Sequence, residues 1–274
     1  MPESHRRGEL TGRVIRRPHD SVDGDGHIRL IAFPSAGESA SMFRYWQNWL
    51  PLDIELWPVQ LPGRQDRLKE APFTAVAPLV CSAAAELALY QGDPFAILGH
   101  SLGALVAFEL ARELRRQKLK RPIGLFVISC GAPQLQRRRP VIRDLPDDAL
   151  IRELCSLGGI PREVVRDREL LDLVIPALRA DITLFETYTY TDEEPLAVPI
   201  SAFGGARDPF VGRADLSAWR AQTTAGFELQ TLDGEHFFAP DFERRLVDVI
   251  VGSLRQTCAS KQLEAPFDTE EIVL

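Results

Sequence analysis

Apolar residues along this chain fall into short continuous runs, separated by stretches where they recur every three or four positions. Runs at 27–33, 54–61, 95–99, 123–130, 198–204 and 227–232 read as buried strands. Helical spacing predicts helices over 41–50, 76–90, the segment after residue 103, and 241–255. Strands alternating with helices at this interval predict an α/β fold with a mostly parallel, doubly wound sheet. Between about 132 and 195 the alternation stops and helix-like segments follow one another, with Leu171, Val174, Ile175, Leu178, Ile182 and Phe185 at helical spacings. An insertion of that length inside a compact domain reads as a helical lid over the carboxyl edge of the sheet.

Residues 1–26 are polar and charged and read as a solvated arm with at most one edge strand. The segment 27–257 is then the folded domain. The tail, 258–274, has little periodicity and is expected loose or docked late.

One strand-to-helix junction carries candidate chemistry. The run ending in Gly99-His100-Ser101-Leu102-Gly103 leads straight into an Ala/Leu-rich helical segment. A serine on so sharp a turn needs neighbours almost free of side chain two positions away on either side, and Gly99 and Gly103 meet that need. The first helical N–H groups, Leu102's among them, then point at any oxyanion forming beside Ser101. A second donor is expected from the turn after the first strand, with Ala36 as the candidate.

A serine hydroxyl needs a base, and the base needs a carboxylate to orient it. Of five histidines, His5 and His19 lie in the arm, His27 begins a strand at the far end, and His100 points away from its neighbour Ser101. His236, just after the last strand, is the candidate base. Asp208 follows a strand and precedes His236, in the order Ser, Asp, His that such a fold uses. Glu235 is a rival, but its adjacency to His236 points the two side chains apart.

The chain has 274 residues, of which 45% are hydrophobic and 26% charged, with a net charge of -7. That balance argues against nucleic acid as a partner. No apolar run approaches a membrane span and no secretory signal layout opens the chain, so a cytoplasmic protein is expected. Cys81, Cys130, Cys155 and Cys258 lie far apart without metal-ligand spacing, so reduced structural thiols are expected; no motif implies a cofactor or a metal.

Taken together, Phe33-Pro34-Ser35-Ala36-Gly37, Gln60-Leu61-Pro62-Gly63-Arg64, Gly99-His100-Ser101-Leu102-Gly103, Leu178-Arg179-Ala180-Asp181, Glu186-Thr187-Tyr188, Gly204-Gly205 with Asp208, and Gly234-Glu235-His236-Phe237-Phe238 resemble the type II thioesterases of polyketide and nonribosomal peptide assembly lines. The resemblance implies an α/β-hydrolase fold that hydrolyses aberrant or stalled acyl and aminoacyl groups from the phosphopantetheine arm of acyl or peptidyl carrier proteins. It implies Ser101 as nucleophile, His236 as base, Asp208 as orienting acid, and Ala36 and Leu102 as oxyanion donors. Glu38 and Leu102 depart from the glycine and methionine of many relatives.

A product-releasing thioesterase, or an acyltransferase passing the chain to an alcohol or amine, would use the same acyl-enzyme. A non-catalytic binding module on the same fold is a more distant alternative. Carrier proteins of this kind are acidic, so a local basic face is expected at Arg115, Arg116, Lys118, Lys120 and Arg121, or at Arg137, Arg138 and Arg139. The insertion is expected to act as a mobile lid whose apolar stripe covers the acyl pocket, with Phe185 touching substrate. A monomer is expected.

Overall fold

The computed structural model describes residues 13–18, 26–90, 92–135, 140–156, 162–237 and 240–264. Most of the N-terminal arm, the basic run 137–139 and the end of the C-terminal tail lie outside the described residues.

Six strands form one sheet: β1 (Ile28–Phe33), β2 (Ile54–Pro58), β3 (Phe95–His100), β4 (Leu125–Ile128), β5 (Ile200–Gly205) and β6 (Phe227–Leu232). Their order is β2-β1-β3-β4-β5-β6, and every neighbouring pair is parallel. Strands β1, β3, β4 and β5 are buried along their whole length because both faces of the sheet are covered. On one face Ile31, Phe33, Ile97 and Val127 pack against α1 (Val76–Leu87) and α2 (Leu102–Arg116). On the other, Leu30, Leu98, Ile128 and Phe203 meet α7 (Pro240–Glu264) and the buried Phe43 and Trp46.

The expected insertion is helical in its described parts, with α3 (Asp147–Ser156), α4 (Arg162–Arg166) and α5 (Arg168–Thr187), and a short α6 (Arg213–Ser217) follows β5. Much of α5's apolar stripe has a different partner from the one expected. Leu171, Ile175, Leu178 and Ile182 close on Leu150 and Leu154 of α3 in a separate small core, with Ala36 at its margin. A helix pair that can bury its stripe against itself forms its own layer.

Three other segments depart from the sequence reading. The helix expected over 41–50 is a pair of short 3-10 turns, Ala40–Phe43 and Trp46–Asn48. Phe43 and Trp46, three apart, eclipse on a 3-10 pitch and pack edge to face at 5.2 Å in one core. Both ends are also tied to the body, since Gln60 accepts from the Ala40 N–H and Gln47 from the Leu56 N–H. The second departure is α7, which continues to Glu264 into the supposed tail, where Pro266 is the first helix breaker after Gly252.

The third departure is in the arm, where residues 13–18 are docked rather than solvated. Val14 and Ile15 are buried. Ile15 bridges Val59 antiparallel, and the Glu86 carboxylate accepts the N–H groups of both Val14 and Ile15. Among the described residues, no helix is long and apolar enough to cross a membrane.

Candidate active site

Ser101 stands between β3 and α2 with φ 53° and ψ -116°, a conformation that an L-residue holds only when its surroundings enforce it. The enforcement is steric. A Cβ on Gly99 would lie 2.1 Å from the Gly103 carbonyl oxygen, and one on Gly103 would lie 2.3 Å from that of Phe33. Strand and helix therefore cross at a distance only two glycines permit. The Ser101 N–H donates to Ile128 O at 2.8 Å, which locks the turn to β4. Leu102 opens α2, so its N–H belongs to the set that has no acceptor within the helix.

Asp208 and His236 reach the same edge from the loops after β5 and β6. Those loops are tied together where Arg207 N–H donates to Gly234 O at 2.8 Å. Asp208 Oδ2 lies 2.8 Å from His236 Nδ1, and His236 Nε2 lies 3.1 Å from Ser101 Oγ. The Asp208 side chain is wholly buried. Its Oδ1 accepts the N–H groups of Phe210 and Val211. Burial alone would raise its pKa, but the contact with His236 and the two backbone donors outweigh it and hold the carboxyl below the ordinary range. With that carboxylate accepting from Nδ1–H, Nε2 is left to accept the serine proton. Phe210 and Phe237 pack edge-on to the His236 ring at 4.8 and 5.0 Å.

His100 has its own part in this arrangement. Its Nε2 donates to the His236 carbonyl at 2.9 Å. Burial lowers its pKa to about 3, with His236 adding to the effect, so the ring is neutral.

Sequence reasoning assigned no role to Gln60, Arg64 or Asp181, although their motifs were visible. Arg64 meets both oxygens of Asp181 at 2.6 and 2.8 Å and also donates to Glu38 O. Both side chains of this pair are buried, so removing either partner would leave a stranded charge at a cost of about 3–5 kcal/mol. Ala36 lies in the turn this pair supports. Phe185 is exposed on the last turns of α5, outside the α3–α5 core.

The two basic runs fare differently. Arg115 and Arg116 converge on Glu193, together with the buried Arg112. Lys120 donates to the carbonyls of Gly92 and Asp93. These cations are engaged in holding the structure together, while residues 137–139 lie outside the described residues. Among the described residues no group of three or more His, Cys, Asp or Glu is arranged to hold a metal ion.

A family model for the thioesterase domain matches residues 28–255. The chain is 39% identical over 241 residues to the gramicidin S biosynthesis protein GrsT of Aneurinibacillus migulanus, covering 88% of this chain and 94% of that one. Its structure is similar to the RedJ thioesterase from the prodiginine pathway of Streptomyces coelicolor, with a TM-score of 0.75, 35% identity, and 86% and 96% of the two chains covered. It is also similar to YbtT, the type II thioesterase of the yersiniabactin NRPS/PKS pathway, with a TM-score of 0.77, 30% identity, and 89% and 98% covered.

Proposed function

The chain belongs to the thioesterase family, and on that premise we propose that it clears acyl or aminoacyl groups from the phosphopantetheine thiol of carrier proteins in polyketide or nonribosomal peptide biosynthesis. Ser101 is the nucleophile, His236 the general base and Asp208 the acid that orients it. The observation that carries this reading is the unbroken line Asp208–His236–Ser101, with both contacts at hydrogen-bond distance and the serine on a strained turn at a helix N-terminus.

As Ser101 Oγ attacks the thioester carbonyl, His236 Nε2 takes its proton, and the N–H groups of Leu102 and Ala36 receive the charge on the tetrahedral oxygen. The C–S bond then breaks, and the departing thiolate takes the proton back from the imidazolium. Water, activated by the same His236, cleaves the resulting ester and frees Ser101.

A panel of carrier-bound acyl groups, run with and without an added alcohol or amine, tests the reading. Hydrolysis in both conditions is expected, with Ser101→Ala slowed by about 10⁶-fold and Asp208→Asn by about 10⁴-fold. Transfer to the added nucleophile in place of water would make the enzyme an acyltransferase. Undiminished hydrolysis by Ser101→Ala would overturn the mechanism. In the same panel Phe185→Ala is expected to shift preference toward longer chains, because an apolar contact discriminates by about 1–3 kcal/mol per methylene.

A further inference from the structure

Helix α5 sends a carboxylate into the loop that carries the second oxyanion donor. Asp181 Oδ2 accepts the Gly37 N–H at 2.8 Å, while Arg64 binds both Asp181 oxygens. Leu178, three residues earlier on the same helix face, presses on Gly37 so closely that a Cβ there would lie 2.9 Å from Leu178 Cδ1. Ser35 to Glu38 form a tight turn, closed by Glu38 N–H to Ser35 O at 3.1 Å, with Gly37 at φ +79°. A positive φ at the third position is what a type II turn requires.

Type I and type II turns differ chiefly by a flip of the central peptide plane, here the one joining Ala36 to Gly37. The Gly37 N–H lies in that plane. Whatever holds this N–H therefore selects the turn type and anchors in place the turn whose second residue is Ala36. Arg64 and Gln60 grip the same turn further along, at Glu38 O and the Ala40 N–H.

We propose that Asp181, with Arg64 as its counter-ion, is a positioning residue for acyl transfer: it holds the Ser35–Glu38 turn so that the Ala36 N–H faces the tetrahedral oxygen. The oxyanion hole is then complete only while α5 is seated on the body of the protein. This inference rests on the assignment of Ser101 as nucleophile.

The test compares the wild type with Asp181→Ala and Asp181→Asn. The readouts are kcat and KM on a short free acyl thioester, affinity for a trifluoromethyl ketone, which forms an oxyanion adduct with serine, and affinity for the matching uncleavable thioether. Asp181→Ala is expected to lower kcat about 100-fold and ketone affinity in parallel, with KM and thioether affinity nearly unchanged. Asp181→Asn keeps an oxygen for the Gly37 N–H and should recover about tenfold; it also serves as the comparison if the alanine variant does not fold. Equal loss of ketone and thioether affinity, or wild-type kcat in both variants, overturns the proposal. Amide exchange at Gly37 gives an independent reading: it should accelerate at least about tenfold in Asp181→Ala, and no acceleration overturns the proposal whatever the activity. A wild type that neither hydrolyses thioesters nor binds the ketone would overturn the Ser101 assignment instead, which the exchange measurement would tell apart.

Discussion

His100 donates to the carbonyl of the neighbouring His236 from a site so enclosed that burial lowers its pKa from 6.5 to about 3. In the unfolded chain that ring protonates near its ordinary pKa, so between about pH 6.5 and pH 3 the unfolded state binds the extra proton. Stability is therefore lost as the pH falls through this window, by up to about 1.4 kcal/mol per pH unit. Asp208, with its pKa held low, adds stability that is fully present above the ordinary carboxylate value and is lost as the pH falls through its folded value. His100→Gln can retain a donor without a titrating ring. Its urea-unfolding midpoint should fall less steeply between pH 6.5 and pH 4 than that of the wild type, and parallel slopes would refute the argument. At this scale the meeting of Ser101, Asp208 and His236 was legible in the sequence, because a serine between two glycines on a strand-to-helix turn and an Asp and a His that each follow a strand are local patterns. Arg64 and Asp181 could not be paired that way. They are separated by 117 positions, and nothing local to either announces the other.

Among the elements, the segment leaving the insertion is fastened to α2 by charge. Glu193 receives Arg112, Arg115 and Arg116. Arg112 also donates to Thr191 O, and Tyr188 donates to the buried Glu109. Burial would raise the Glu193 pKa, yet the arginine contacts bring it down to about 2. Since Arg112 is buried while Arg115 and Arg116 are partly exposed, Glu193→Gln should destabilise the fold by about 1–3 kcal/mol, between the values for surface and buried pairs. Chemical denaturation in low salt measures it; a change within experimental error would mean the cluster is only solvated charge. Strands were legible here to within about two residues at most of their ends, because a strand buried on both faces is a continuous apolar run. The 41–50 segment was not. Met42, Tyr45, Trp46 and Trp49 fit one face of an α-helix, but the tertiary bonds at Ala40 and Leu56 and the Phe43–Trp46 contact favour two tighter turns. The stripe on α5 was legible as a stripe, but periodicity does not say which surface a stripe covers, and much of it met α3.

Across the whole molecule, the parallel sheet gathers the loops after β3, β5 and β6 at one edge, which is why three residues far apart in sequence meet there. A sheet of this kind also has two flanks, and β2 forms one of them. Residues 14–16 run along the end of that flank. Arg16 N–H donates to Pro58 O, Gln60 N–H donates to Val14 O, and Glu86 accepts both intervening amides. An uncovered flank presents main-chain donors and acceptors to any passing strand, and this short strap occupies those at Pro58 and Gln60. Deleting residues 1–17 should make the protein aggregate with rising concentration, detectable by light scattering, and an unchanged scattering profile would refute the argument. The deletion would also take from the Glu86 carboxylate the two backbone donors it accepts. The truncated protein should clump most readily at mildly acidic pH, where the net negative charge that keeps molecules apart falls toward zero.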